Sequence, residues 1–419
     1  AFYFWLHGQQ QFNARWRAES WLGYSGLHSM RDGQVDNPNV VAGRVSDTRN
    51  SDLWDFRWQV HGALSERQSL EFGGEWHTGD ADYSYQNAVA LSPQIAQLYQ
   101  KPVSSRLDTM LFPYRRDAVL YLADRVRMGE RVTTEGGLRL QRASGLGLNS
   151  VWLWDPRVMV SYDLNDRTRL RASWGRFHQP DGVQELRVED GAVGFAHPQR
   201  SDHTIIGLEH MDTRAIAWRA ELYEKRLDAP RARFENQLNP LAILPELEPD
   251  RVQIMPSGAE LRGAEVSAAY TSEVWSWRLG YSRARASDEI GGADFLRRWD
   301  QTHSFAGALD WRDGPWSLGA AYTAHTGWPT TPVYYDAAGN PTLGARNSMR
   351  WPYFASLDLR SGYRLPLRRG ALHFALDITN VLDRQNSCCS ELVLPPTGTA
   401  VEPLTLLPFT ATLSARWNF

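Results

Sequence analysis

The side chains with the greatest chemical potential in this chain are few. Its two cysteines are neighbours, Cys388 and Cys389, and its eleven histidines are scattered singly. Adjacent Cα atoms sit ~3.8 Å apart, nearer than the ~4.4–6.8 Å usual for a disulfide. In an oxidising compartment, however, neither thiol has another partner within the chain. A bond between the two neighbours is therefore expected, with a pair of free thiols as the alternative. No His-Glu-x-x-His, Gly-x-Ser-x-Gly, phosphate-loop or Cys-x-x-Cys pattern occurs. GYSG at 23–26 has the wrong spacing for a nucleophile elbow, and GLGLNS at 145–150 falls in an expected loop. Neither an enzyme, a metal centre nor a resident cofactor is expected.

Binding chemistry is better represented. Trp328, Tyr334, Tyr335, Arg346 and Arg350 lie within or beside one long connection, and Phe177, His178 and Gln179 lie at a strand end. Aromatic rings beside guanidinium groups suit an anionic or planar small ligand, through stacking and bidentate pairing. The competing reading of each residue is loop packing or contact with lipopolysaccharide. His178, His303 and His325 could meet at a barrel rim, although isolated, solvated histidines are the better reading.

The elements that must position these residues are strands. In FTATLSARWNF (409–419), Phe409, Ala411, Leu413, Ala415, Trp417 and Phe419 alternate with Thr410, Thr412, Ser414, Arg416 and Asn418. Successive side chains of a strand point to opposite faces, so this stretch has one oily and one wet face. The pattern recurs in ALHFALDITNVL, WSWRLGYS, PWSLGAAYTAH, RVMVSYDL and AIAWRAEL. About 16–17 such segments can be counted, each at or above the ~9–11 residues that cross a bilayer as a tilted strand.

Composition agrees with that reading. Eighteen Trp and sixteen Tyr are unusual at 419 residues and suit interfaces that are apolar on one side and wet on the other. Mean hydropathy is −0.47, and no run reaches the ~18–20 apolar residues of a membrane helix. A net charge of −3 and a hydrophobic content of 42% disfavour nucleic-acid binding and disorder.

Short turns such as SERQ (65–68), NDRT (165–168), MDTR (211–214), RDGP (312–315) and PLRRG (366–370) carry tight-hairpin chemistry. They alternate with long connections at roughly 30–51, 83–113, 229–256, 329–350 and 383–404, and shorter ones near 143–152, 179–200 and 288–296. Short helices are expected around Pro93–Gln100 and Pro180–Asp190. This short–long alternation describes a transmembrane antiparallel up-and-down β-barrel, spanning residues 1–419 as one domain. Backbone groups in lipid must pair internally, so the barrel's wide lumen is wet. Arg169, Arg171, Arg219, Glu221, Asp358 and Arg360 should therefore face inward.

The stretch WPYFASLDLRSGYRLPLRRGALHFALDITNVLDRQN (351–386) resembles the C-terminal end of TonB-dependent receptors. That family shows a strand, a turn, and a strand ending in Asn-Val-Leu-Asp, here Asn380 to Asp383, then a final strand ending in an aromatic residue, here Phe419. Looser likeness covers 156–180, 258–270 and 297–311, and the Cys388–Cys389 pair in the last long loop fits a subset of these receptors. The resemblance implies a Gram-negative outer-membrane importer of scarce ligands: ferric siderophores, cobalamin or glycans. It also implies a 22-stranded barrel, an N-terminal plug, and energy coupling through TonB. Phe409, Leu413, Trp417 and Phe419 then form the terminal signal read by the barrel-assembly machinery. Nothing before the first strand looks like a plug, and the strand count falls about five short. The expectation is the C-terminal part of a longer receptor, with a smaller plugless barrel as the alternative. A passive porin-like channel, or an outer-membrane protease or lipase, are the competing functions.

Overall fold

The computed structural model describes residues 1–212, 215–228, 230–335, 337, 341–393 and 400–419. One antiparallel sheet dominates it. Nineteen strands belong to that sheet, and two of them, Ser104–Leu111 and Ala293–Leu296, are short segments sharing a neighbour with the strand that follows. Seventeen longer strands remain. They are β1 Phe2–Gln11, β2 Trp16–Asn37, β3 Val41–Ser65, β4 Gln68–Leu91, β5 Tyr114–Met128 and β6 Val132–Gly145. Next come β7 Leu148–Asn165, β8 Thr168–Gln179, β9 Gln199–Met211, β10 Ile216–Asp228, β11 Gly258–Thr271 and β12 Trp275–Ile290. The last are β13 His303–Asp313, β14 Trp316–His325, β15 Phe354–Pro366, β16 Ala371–Thr379 and β17 Thr410–Asn418. Each pairs with the next in chain order, the topology of an up-and-down barrel sheet.

The register fixes the two faces. Leu208, Ala220, Val266 and Tyr281 lie opposite one another on β9 to β12, with Leu279 opposite Ala268 on the same face, and Leu376 faces Leu413 across β16 and β17. These apolar residues form the lipid face; Leu222, Val266, Leu279 and Leu413 are exposed. On the other face run ion pairs: Arg171–Glu209 (3.2 Å), Arg219–Glu209 (3.7 Å), Arg169–Asp163 (2.5 Å) and Arg360–Asp377 (3.3 Å). A lipid-facing Arg at the midplane would cost about 2–4 kcal/mol, so the alternation sets the orientation of every strand.

One rim carries tight turns, and side-chain caps hold several of them. Asn165 Oδ1 accepts from the Arg167 amide (3.0 Å) and Ser272 Oγ from the Trp275 amide (3.0 Å). Gly370 adopts φ +85° between β15 and β16, where a Cβ would fall 1.8 Å from the Asn418 carbonyl oxygen. The turn expected over 211–214 lies partly outside the described residues.

The other rim is built differently from expectation in several places. The expected 83–113 connection is strand as far as Leu91 and again over Ser104–Leu111, and that near 288–296 is a hairpin turning between Ile290 and Ala293. Residues 30–51 form no loose loop: β2 and β3 run 22 and 25 residues and meet at a turn after Asn37. Their polar alternation continues above the membrane, where both faces are wet, so nothing in composition marks the exit from lipid. Near 143–152 the connection shrinks to Leu146 and Gly147, the latter at φ +74°. The expected helices appear as α1 Pro93–Leu98, capped by Ser92, and as two 3₁₀ turns, Val183–Glu185 and Val188–Asp190. No helix among the described residues is long and apolar enough to cross a membrane.

Candidate functional site: the loop-covered mouth

Above the membrane the inner face turns apolar. Val45, Ala81, Tyr83 and Tyr85 on β3 and β4 are buried by Val183, Leu186, Val188 and Phe195 of the β8–β9 connection, and by Leu247. Tyr83 donates to the Val183 carbonyl at 2.8 Å. A second cluster joins Val40, Val41 and Leu91 to Ile95 and Tyr99 of the α1 segment, Leu238 and Leu392. Five connections thus fold over one side of the mouth because the extended strands offer them an oily wall.

Arginines lock this cap. Arg251 pairs bidentately with Asp190 (2.7 and 2.8 Å), and Arg31 reaches Glu246 (2.6 Å). Arg233 and Arg297 both hold the buried Asp288, Arg297 at 2.9 Å. Arg346 pairs with Glu235, while Arg298 donates to the Asn236 and Gln237 carbonyls. Arg350 binds the Asp300 carboxylate, the Asp300 and Gly327 carbonyls (3.1 and 3.0 Å) and Thr302 Oγ1 (2.9 Å). Gly327 permits that closeness, since a Cβ there would meet the Trp351 carbonyl oxygen at 1.8 Å. Burial pushes Arg298 down to about 10 and raises Asp190 despite its Arg251 partner. Burial, then the Asp250 and Glu391 carboxylates, pushes Glu248 up to about 7.

Beside this lattice stands an aromatic stack. Trp299 meets Trp328 edge-on at 4.8 Å; His325 lies parallel to Trp328 at 5.5 Å and to Phe354 at 4.7 Å. His325 and Phe354 occupy the polar, luminal register with Ser304. Trp299 remains about half exposed (49%), as do Tyr334 and Tyr335 on the hairpin Val333–Tyr335/Pro341–Leu343.

Lower on the wall, a cavity of about 380 Å³ lies between β3–β6 and the segment 180–184. His77 there contacts Asp55 (2.5 Å) and Glu75 (3.4 Å), Arg139 holds Glu75 (2.8 Å), and Arg115 grips Asp117 (2.7 Å). No group of three or more His, Cys, Asp or Glu among the described residues could hold a metal ion.

Of the expected ligand residues, Trp328, Arg346 and Arg350 gather at the cap, with both arginines already engaged by carboxylates. Phe177, His178 and Gln179 sit on β8, six strands away in the sheet. Phe177 packs on His203 (4.7 Å), His178 bonds Asp155 (2.6 Å), and Gln179 faces Gln199. His303 bonds Tyr281 (2.7 Å) on the lipid face, so it does not meet His178 or His325. Sequence reading missed Asp288, Asp300, Arg233, Arg298 and Trp299; the run RRWD at 297–300 was the available signal. The sulfurs of Cys388 and Cys389 are joined, in a buried position where the Ser390 amide donates to the Leu238 carbonyl (3.2 Å).

An apolar outer face, a charged inner face and a capped mouth define a transmembrane receptor barrel. The family model described as TonB dependent receptor-like, beta-barrel, matches residues 2–381, and the chain belongs to that family of outer-membrane receptors. Among solved structures it is similar to the ferric citrate transporter FecA in the unliganded form (15% identity, TM-score 0.66, 99% of this chain and 60% of that one). It is also similar to the copper transporter OprC (14%, 0.70, 100% and 65%). A third is BauA, the ferric preacinetobactin receptor from Acinetobacter baumannii (14%, 0.64, 99% and 62%). At these identities the likeness shows the fold, and the chain spans about 60–65% of the length of those structures. Comparison with curated proteins found no match.

Proposed function

We propose that this chain is the barrel part of an outer-membrane receptor that imports a scarce ligand in a TonB-dependent manner. The observation that carries the reading is the asymmetry of the sheet. Tight turns close one rim, while at the other an interlocked cap overhangs a lumen lined with ion pairs. A cap of that kind suits capture of a dilute ligand better than free diffusion. The plug that would couple to TonB is proposed to lie outside residues 1–419, in keeping with the 60–65% coverage of the similar structures.

Ferric siderophores are the favoured ligand class, with cobalamin and glycans behind them; three of the similar structures are named for ferric or copper transport. Trp328, Tyr334, Tyr335 and Phe177 would offer ring faces. Arg346, Arg350, His178 and Gln179 would border the site, with the two arginines exchanging a carboxylate for an anionic ligand. Outside the lumen, the proposed partners are outer-membrane lipid with lipopolysaccharide, and the assembly machinery reading Phe409, Leu413, Trp417 and Phe419.

The test is uptake of radio-iron bound to citrate, to a hydroxamate and to a catecholate chelator, in cells with and without the complete gene. Loss of one chelate's uptake on deleting either this gene or TonB is expected. Permeation of small sugars through the complete receptor without TonB would instead mark a passive channel.

A further inference from the structure

The lipid face of β10–β13 carries a charge arrangement that transport does not use. On β12 the outward series reads Trp275, Trp277, Leu279, Tyr281, then Arg283 and Arg285. Ten residues separate Trp275 from Arg285. At ~3.3 Å per residue and a tilt of ~40°, they rise about 25 Å, the height of the apolar band. The two arginines therefore reach the outer interface, directly above the oily surface.

Their neighbours sharpen the point. Arg285 lies directly opposite Arg262 of β11, and Arg283 directly opposite His303 of β13. The facing guanidinium groups of Arg262 and Arg285 repel across the strand pair. Several other outward arginines are matched, whereas Arg142 has, among the described residues, only Ser150 Oγ (2.8 Å) and the Trp152 ring. Arg116 pairs with Asp80 (2.9 Å), Arg176 with Asp202 (2.8 Å), Arg226 with Glu224 (2.8 Å), and Arg200 with Asp228. Arg262 has Glu260 at 3.9 Å and lies opposite Glu224, itself held by Arg226, while Arg283 and Arg285 have no ion pair among the described residues. All three are exposed. Arg283 and Arg285 lack an anion of the chain, and the anions at that depth of a membrane are lipid phosphates.

We propose that Arg262, Arg283 and Arg285 bind the phosphate of a phosphorylated glycolipid in the outer leaflet. The guanidinium groups fork onto phosphate oxygens, and the acyl chains lie along Leu279 and Val266 below. The proposal rests on the outer-membrane reading of the barrel.

The test uses the complete receptor, purified in neutral detergent and titrated with lipid A or its dephosphorylated form. Thermal stabilisation and native mass spectrometry report binding. Roughly fivefold weaker binding per arginine is expected, so Arg262→Gln/Arg283→Gln/Arg285→Gln weakens lipid A binding about a hundredfold. The control Arg116→Gln leaves it unchanged. Heat-modifiable gel mobility separates a misfolded variant from a lipid-blind one, and the double variant Arg283→Gln/Arg285→Gln, expected to lose about 25-fold, repeats the test with less perturbation. Equal binding of dephosphorylated lipid, or a folded triple variant that binds like wild type, would overturn the proposal. Competition by millimolar inorganic phosphate as strong as that by lipid A would overturn the lipid as the source. A receptor that fails to insert into neutral phosphatidylcholine vesicles would contradict the barrel reading itself, a result distinct from loss of phosphate recognition.

Discussion

The Asp383 carboxylate accepts the Phe409 backbone amide at 3.1 Å, tying the end of the Asn-Val-Leu-Asp run to the start of the last strand. The run is a folded clamp. Asn380 and Asp383 both adopt positive φ, 52° and 46°, a region where Asn and Asp cost less than most side chains. The buried Asn380 amide group donates to the Arg384 and Leu407 carbonyls, and its backbone N–H donates to Asp358 at 2.8 Å. The motif therefore joins β15, β16 and β17 across a connection of about thirty residues.

Asn380→Ala leaves buried carbonyls unpaired and places Ala at positive φ. A loss of about 2–4 kcal/mol is expected from the two effects together, with Asp383→Ala costing about 1 kcal/mol. Urea unfolding of the complete receptor in detergent measures both.

The cap depends on arginines whose partners are buried. Arg350→Ala strands the Asp300 carboxylate, and Arg233→Ala weakens the hold on Asp288; each carboxylate side chain is 1% exposed. Removing one partner of such a pair costs about 3–5 kcal/mol, less where Arg297 still serves Asp288. Hydrogen exchange should accelerate in 291–302 and 326–353 for Arg350→Ala, and in 230–257 for Arg233→Ala. The double variant Arg350→Met/Asp300→Leu should recover most of the protection.

The cap should also loosen as pH rises from about 4.3 toward 7. Burial raises Glu248 to about 7 in the folded loop, against about 4.3 unfolded. Between those values the unfolded loop holds fewer protons, so stability falls with increasing pH, levelling off above about 7. Below about 4.3 the group is protonated in both states and contributes no slope. Hydrogen exchange of 237–250, corrected for intrinsic pH dependence, should show this trend, and Glu248→Gln should abolish it.

A non-reduced digest should yield Cys388 and Cys389 as an oxidised pair, two hydrogens lighter than the free thiols, with no alkylation before reduction. Alkylation of both in the native receptor would show free thiols instead.

The membrane part was legible from residues alone because lipid enforces a strict period of two. Alternation alone assigns Leu413 and Thr412, or Ala220 and Arg219, to opposite faces. Above the membrane that constraint lapses. Val45, Tyr83 and Tyr85 belong to the same alternation as the luminal polar residues, yet they are buried by loops distant in sequence. Arg346 and Arg350 read as ligand residues because their carboxylate partners, Glu235 and Asp300, come from 111 and 50 residues away. Such pairings follow from tertiary packing, which spacing does not encode.

The most direct test of the account is a nitroxide scan along β10, one label at a time from 216 to 223, in the complete receptor reconstituted in bilayers. Oxygen accessibility should peak at Ile216, Trp218, Ala220 and Leu222, and accessibility to a polar nickel chelate at Ala217, Arg219, Glu221 and Tyr223. Uniform accessibility along the strand, or the opposite phase, would contradict a barrel with this lipid face and this lumen.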